Sequence, residues 1–127
     1  VFFVGHVADM PKFLGELDVF IMPSRWAGLG LVALEAGAAG RPIFASRVDG
    51  IKEIIVDKKD GYLFKPEQTG QLAKYLNKYL TGDLRQLTSC AENLQKKVKA
   101  DFSIEMTVVR YEDFYKKLKQ TDENTAS

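Results

Sequence analysis

The chain has 127 residues, which is enough for one domain of ordinary size with a substantial apolar core. Hydrophobic residues make up 46% and charged residues 28%, as in soluble globular proteins, and the formal net charge of +1 gives no overall field that would attract nucleic acid. No apolar run approaches the ~20 residues of a membrane-spanning helix, and the N-terminal VFFVGHV is too short for a signal peptide.

The single cysteine, Cys90, cannot form a disulfide within the chain. It lies in a helical pattern, LTSCAENL, where we expect a small core residue. This use of cysteine suits a reducing compartment and predicts a cytoplasmic location, while a peripheral membrane association of the full-length protein stays open.

Continuous apolar runs alternate with helical patterns through the first half of the chain. The runs are typical of parallel strands covered on both faces, and they predict strands at residues 1–4, 18–22, 42–45 and 62–64. Between the strands the pattern predicts helices at residues 10–16 and about 29–39, with Gly40 as the C-cap, and a helical turn at 51–55. This βαβα order predicts an α/β fold with a partial Rossmann-like parallel sheet and flanking helices.

The pattern from residue 67 onward is helical only, so the C-terminal third is predicted to be helical. Its three apolar stripes comprise Leu72, Tyr75, Leu76, Tyr79 and Leu80, then Leu84, Leu87, Ala91, Leu94 and Val98, then Ile104, Val108, Tyr111, Tyr115 and Leu118. Asp83 and Ser103 are the predicted N-caps of the last two helices. Residues 121–127 are polar and aperiodic, which predicts a disordered tail.

A glycine-led helix follows the second predicted strand. Gly28 and Gly30 would let a ligand approach backbone amides at the helix N-terminus, where anions bind. This loop also lies at the carboxyl end of a strand, where ligands bind in open α/β sheets. The alternative is that the glycines only form a tight turn.

Glu35 lies about five residues into that helix, or about 7 Å along its axis from the anion site. This separation suits a ribose whose hydroxyls donate to a carboxylate. The residues around Glu35 are apolar on nearly every side of the helix, which predicts that the carboxylate is buried. The alternative is that Glu35 faces solvent.

The residues from Asp18 to Pro66, DVFIMPSRWAGLGLVALEAGAAGRPIFASRVDGIKEIIVDKKDGYLFKP, closely resemble the retaining glycosyltransferases of group 1, which have the GT-B fold. The resemblance extends upstream to FFVGHV and downstream to FSIEMTVVRYEDFYKKL. It implies that residues 1–120 are part of the C-terminal, donor-binding domain, which faces an N-terminal acceptor domain across a cleft. The implied donor is a UDP-, GDP- or ADP-sugar, bound without a metal or another cofactor.

The resemblance also implies roles for particular residues. The family signature is a glutamate, seven residues and a second glutamate, and the second corresponds to Glu35, which holds the nucleotide ribose. The loop formed by Gly28, Leu29, Gly30 and Leu31 corresponds to backbone that contacts the diphosphate and the sugar. Backbone at His6 and Val7 corresponds to a contact with the base edge, so His6 is expected to act through its main chain.

The chain departs from the family pattern at Ala27, where the first signature glutamate would present a carboxylate to the donor sugar. Arg25 cannot replace it, because a guanidinium has no acceptor. Three explanations stay open: the sugar is held differently, activity is reduced, or the alanine was engineered. Asp49 and Lys52 also replace a more usual glycine and proline, which we interpret as tolerated loop variation.

The chain opens on a strand-like run without a methionine, so we expect upstream sequence to be missing. The resemblance implies that the missing part holds two further strands, an arginine and a lysine that neutralise the diphosphate, and the acceptor domain. Without those strands, residues 18–22 would form an exposed sheet edge, which favours a homodimer or poor solubility. The alternative functions are a catalytically inactive nucleotide-binding or regulatory fragment, one subunit of a split glycosyltransferase, and a purely structural domain.

Overall fold

A computed structural model describes residues 1–82 and 84–125. Its sheet has three short parallel strands in the order β1-β2-β3, namely β1 (Phe20–Met22), β2 (Ile43–Ser46) and β3 (Tyr62–Phe64). Each strand pairs with the next along the chain. This confirms the predicted α/β fold and three of the four predicted strands.

The described residues form six helices. These are α1 (Met10–Glu16), α2 (Leu31–Ala38), α3 (Ile51–Ile54), α4 (Thr69–Leu80), α5 (Leu84–Asp101) and α6 (Ile104–Thr125). Helix α2 is shorter than predicted because glycines with left-handed backbone flank it, Gly30 at φ +65° and Gly40 at φ +67°. The C-cap of α2 is Ala39, and Gly40, which the sequence predicts as the C-cap, is the next residue, whose amide donates to the carbonyl of Gly37 at 2.9 Å.

The core has two parts, one on each face of β2. Ile43 and Ala45 pack with Leu94 of α5 on one face, while Phe44 packs with Tyr62 and Leu87 on the other. Burial on both faces explains why the run that forms β2 is continuously apolar. Cys90 is buried in the second part, as predicted from its helical context.

The strand predicted at residues 1–4 is wrong. Among the described residues the segment pairs with no strand, and its side chains are exposed, Phe2 by 95% and Phe3 by 97%. An apolar run becomes a strand only when a neighbouring strand supplies the other half of each hydrogen bond. In the described part of the chain β1 pairs with β2 alone, so it is the predicted sheet edge.

The C-terminal helices lie where the stripes predict them, but the stripes differ in burial. Most of the α5 stripe is buried and most of the α4 stripe is half-buried, whereas the α6 stripe is exposed, Ile104 by 72%. Ser103 Oγ accepts from the amide of Met106 at 3.3 Å, which confirms that N-cap, whereas Asp83 lies outside the described residues. Helix α6 continues to Thr125, well into the segment for which the sequence predicts disorder, because extending a formed helix needs only one further hydrogen bond per residue. No helix among residues 1–82 and 84–125 has the length and apolar character needed to cross a membrane.

Candidate functional site

The loop between β1 and α2 ends in a glycine that shapes the start of the helix. Gly30 is the N-cap of α2 at φ +65° and ψ +37°, and its carbonyl accepts from the amide of Ala33 at 2.8 Å. No side chain caps this end, and the amides of Leu31 and Val32 have no acceptor among the described residues. These amides and the positive end of the helix dipole can therefore bind an anion.

Within the loop, one residue packs against the core and others face solvent. Ala27 is half-buried and packs against the core, whereas Gly28 is exposed. Leu29 and Leu31 are exposed by 61% and 59%. The structure thus places residues 27–31 together at the carboxyl end of β1, where the sequence predicts the diphosphate contact.

Glu35 is exposed, so the prediction that its carboxylate is buried is wrong. Its side chain has no hydrogen-bond or ion-pair partner in the described part of the chain. The reason is that α2 buries Ala33, Ala36 and Gly37, while Glu35 lies on another side of the helix. Every residue of α2 except Glu35 is apolar, but α5 covers the face that carries Gly37 and leaves Glu35 exposed.

Glu35 lines a cleft of about 300 Å³ between α1 and α2. The other lining residues are Met10, Pro11, Leu14, Ala38 and Ala39. Sequence reasoning missed the α1 wall, because periodicity predicts the helix but not which helix it faces. Residues 27–31 do not line the cleft, so the glycine loop lies before α2 and the carboxylate lies further along the helix, not in a common cavity.

The segment that holds His6 and Val7 leads directly into the α1 wall of the cleft. Val7 is half-buried and His6 is exposed. Asp9 begins α1 and accepts from the amide of Lys12 at 3.1 Å, which fixes the direction of the chain after Val7. The predicted base-edge contacts therefore lie on the segment just before α1, and α1 forms one wall of the cleft that Glu35 lines.

Two ion pairs involve residues close to the glycine loop, one between Arg25 and Glu67 and one between Asp49 and Lys52 of α3. Arg25 Nε lies 3.6 Å from Glu67 Oε1, with both side chains largely exposed. Lys52 lowers the pKa of Asp49 below its ordinary value, mainly through its hydrogen bond to the carboxylate and to a smaller extent through its positive charge. No group of three or more histidine, cysteine, aspartate or glutamate side chains within the described residues is arranged to hold a metal ion.

Comparison with known proteins identifies relatives that are much longer than this chain. A family model described as "Glycosyl transferases group 1" matches residues 1–97. N-acetyl-alpha-D-glucosaminyl L-malate synthase of Bacillus anthracis is 31% identical over 124 residues, which are 98% of this chain and 32% of that protein. The UDP-Gal:alpha-D-GlcNAc-diphosphoundecaprenol alpha-1,3-galactosyltransferase of Escherichia coli is 28% identical over 113 residues, covering 88% of this chain and 28% of the relative. The chain therefore spans less than a third of the length of these curated relatives.

Solved structures share the architecture. The C-terminal domain of a glycosyl transferase group 1 family protein (LpcC) from Francisella tularensis has a TM-score of 0.71 at 30% identity, covering 82% of this chain and 53% of that chain. Anabaena HepE in complex with UDP-glucose has a TM-score of 0.79 at 24% identity, and the match covers 92% of this chain and 31% of that chain. At that identity the second likeness shows the fold alone. Together they confirm the predicted architecture, that of a GT-B C-terminal domain.

Proposed function

Because the chain belongs to the group 1 glycosyl transferases, we propose that it is the donor-binding part of a retaining glycosyltransferase that uses a UDP-, GDP- or ADP-sugar. The observation that carries this proposal is the uncapped N-terminus of α2, with the unpartnered carboxylate of Glu35 about one turn further along the same helix. Together they offer hydrogen-bond donors to a diphosphate and an acceptor to the adjoining ribose.

Each part of the donor has a counterpart in the chain. The diphosphate binds the amides of residues 28–31, where the helix dipole favours negative charge. Glu35 accepts hydrogen bonds from the two ribose hydroxyls, and its exposed position leaves both carboxylate oxygens free for them. The base edge meets the backbone of His6 and Val7, before the chain enters α1.

Sugar transfer also needs a site for the acceptor, and we propose that this site lies outside the 127 residues. The acceptor binds to a separate domain across a cleft, and the donor sugar lies near Ala27. We expect no measurable transfer by the 127-residue chain alone when nucleoside diphosphate release from UDP-, GDP- and ADP-sugars is followed. With the acceptor domain present, we expect retention at the anomeric carbon, which proton NMR of the product tests, and activity in the presence of EDTA.

Ala27 favours a second candidate function, nucleotide binding without turnover. Its methyl group packs against the core at the position where the family signature has a carboxylate. A regulatory fragment or one subunit of a split enzyme would keep the diphosphate and ribose contacts but not this one. Such a protein would bind the nucleotide and remain inactive after the acceptor domain is supplied, whereas the leading proposal expects transfer.

Calorimetric titration with UDP, GDP and ADP tests the proposed site. We expect one of the three to bind, and Glu35→Gln to weaken it about ten-fold or more, because hydrogen bonds to a charged acceptor contribute about 1.5–3 kcal/mol. Glu92→Gln is the matched control, because Glu92 is an exposed helical glutamate on α5. The nucleotide affinity of this variant should stay within about two-fold of that of the parent. Absence of binding by all three nucleotides, or equal effects of the two variants, would overturn the proposal.

A further inference from the structure

Gly50 lies directly against the backbone of the glycine loop. A Cβ atom at Gly50 would stand 1.6 Å from the carbonyl oxygen of Gly28 and 2.9 Å from that of Ala27. Gly50 also has φ +81°, a conformation that side-chain-bearing residues rarely adopt. Both the space and the backbone conformation therefore require glycine at this position.

Helix α3, which starts after Gly50, supports the other end of the same loop. A Cβ at Gly30 would lie 3.4 Å from Ile54 Cδ1 and 3.6 Å from Ile51 Cγ1. Both isoleucine side chains are fully buried. The segment from Gly50 to Ile54 thus forms the floor under the glycine loop from Ala27 to Gly30.

This floor is fixed to the rest of the fold on both sides. Lys97 of α5 donates to the carbonyl of Ile54, at the end of α3. Arg47 precedes Gly50 and donates to Asp57 Oδ2 at 2.8 Å, while the other oxygen of Asp57 accepts from the amide of Leu63 in β3. The floor therefore has little freedom to yield when the loop above it moves.

We infer that Gly50 is a positioning residue for the diphosphate, which it does not touch. The inference rests on the proposed function. Real Cβ contacts essentially never fall below 3.0 Å, so a methyl group at Gly50 would require the Gly28 carbonyl and the Gly50 backbone to separate by at least 1.4 Å. Amide hydrogen bonds to the diphosphate would then exceed the range in which they form. Ribose and base contacts lie on α2 beyond the loop and on the segment before α1, so they are retained.

The readout is the affinity of a nucleoside diphosphate divided by that of its nucleoside, measured by NMR titration with UDP and uridine, GDP and guanosine, and ADP and adenosine. For the pair with the tightest diphosphate, Gly50→Ala should lower this ratio at least ten-fold and leave nucleoside affinity within two-fold. Gly61→Ala is the matched control. Its Cβ would stand 2.6 Å from Ile43 Cγ2 and 3.2 Å from Ile55 Cγ2, and none of its three nearest atoms belongs to the glycine loop, so it should destabilise the fold without changing the ratio.

A milder pair of variants covers the case in which Gly50→Ala does not fold. Ile54→Val deletes the Cδ1 atom that supports Gly30 and should lower the ratio about two- to five-fold, because the loop loses part of its floor. Ile43→Val makes the same deletion in the core and should leave the ratio unchanged. Unchanged ratios in both Gly50→Ala and Ile54→Val would overturn this inference alone. If the parent chain does not bind the nucleoside diphosphate more tightly than the nucleoside, both this inference and the proposed function are overturned.

Discussion

Lys97 Nζ lies 3.0 Å from Asp60 Oδ2 and also donates to the carbonyl of Ile54. The Asp60 side chain is only 4% exposed and that of Lys97 25% exposed. Asp60 Oδ2 also accepts from the amide of Val56 at 3.2 Å. This arrangement connects α5 to the segment between α3 and β3, behind the floor of the glycine loop.

Removing the cation should destabilise the fold strongly. Lys97→Met leaves the buried Asp60 carboxylate without its counter-ion, and we expect the free energy of unfolding to fall by about 2–4 kcal/mol. Lys96→Met is the control, because Lys96 is exposed and its replacement should change stability by less than about 0.5 kcal/mol. Urea denaturation followed by circular dichroism measures both, and similar midpoints for the two variants would count against a stabilising role for the buried pair.

Gly37 provides the close contact between α2 and α5. A Cβ there would stand 2.8 Å from Leu94 Cγ and 3.0 Å from Val98 Cγ2. We therefore expect Gly37→Ala to destabilise the chain by about 1–3 kcal/mol. Gly15→Ala on α1 meets nothing within 4 Å and should be neutral or stabilising by up to about 1 kcal/mol. Thermal unfolding of both variants tests the pair, and a Gly37→Ala protein as stable as the parent would contradict the packing described.

The Cys90 thiol should stay protonated and react slowly. Burial raises its pKa above the ordinary value of 9.0, and the carboxylates of Asp60 and Asp57 raise it further. The unfolded chain releases this proton at a lower pH than the folded chain, so stability is full below pH 9 and decreases as the pH rises towards the folded pKa. Stability measured from pH 7 to 10 should decrease less in Cys90→Ala than in the parent, and equal slopes would argue against the shift.

Restoring the signature carboxylate should improve catalysis more than nucleotide binding. In a longer protein that joins this chain to an acceptor-binding domain, we expect Ala27→Glu to raise kcat/KM for the sugar nucleotide about ten- to hundred-fold. Affinity for the free nucleoside diphosphate should barely change, because the proposed function places the new carboxylate against the sugar. Glu35→Ala should weaken free nucleotide as well, and equal effects of the two changes on nucleotide binding would show that the two positions are misassigned.

The exposed edge of β1 and the apolar face of α6 should lead to self-association. Tyr111, Phe114 and Tyr115 are exposed by 61%, 57% and 60%. We expect a homodimer, or poor solubility, at micromolar concentration by light scattering and sedimentation. Tyr111→Lys combined with Tyr115→Lys should give a monomer if α6 forms the interface and a dimer if the β1 edge does. A clean, soluble monomer of the parent chain would contradict this expectation.

Local patterns were sufficient to predict most of the elements but not how they face one another. The bounds of α1 and β3 agree with the predictions, because a proline in the first helical turn and an Asp-Gly turn are local signals. The failure at residues 1–4 arises because strand formation depends on a partner strand. The exposure of Glu35 could not be predicted, because composition does not tell which face of a helix is covered.

The roles of Gly50 and Asp60 were missed for a similar reason. Both lie in loop-like sequence, and we interpreted Asp49 to Glu53 as tolerated variation. Only the folded backbone brings Gly50 against the carbonyl of Gly28 and places Asp60 beside Lys97. A glycine immediately before the α3 pattern was the available signal, and it is weak, because most loop glycines need no such contact.

The central claim is that a nucleoside diphosphate binds the N-terminus of α2, and amide NMR mapping during titration with UDP, GDP or ADP tests it most directly. The account predicts that the largest shifts occur at Gly28, Leu29, Gly30 and Leu31, with smaller shifts at Val7, while amides of α5 that face away from α2 do not move. Inorganic phosphate at the same concentration should reproduce the loop shifts weakly and leave Val7 unchanged. Saturable nucleotide binding that leaves residues 28–31 unshifted, or the absence of binding by all three nucleotides, would contradict the account.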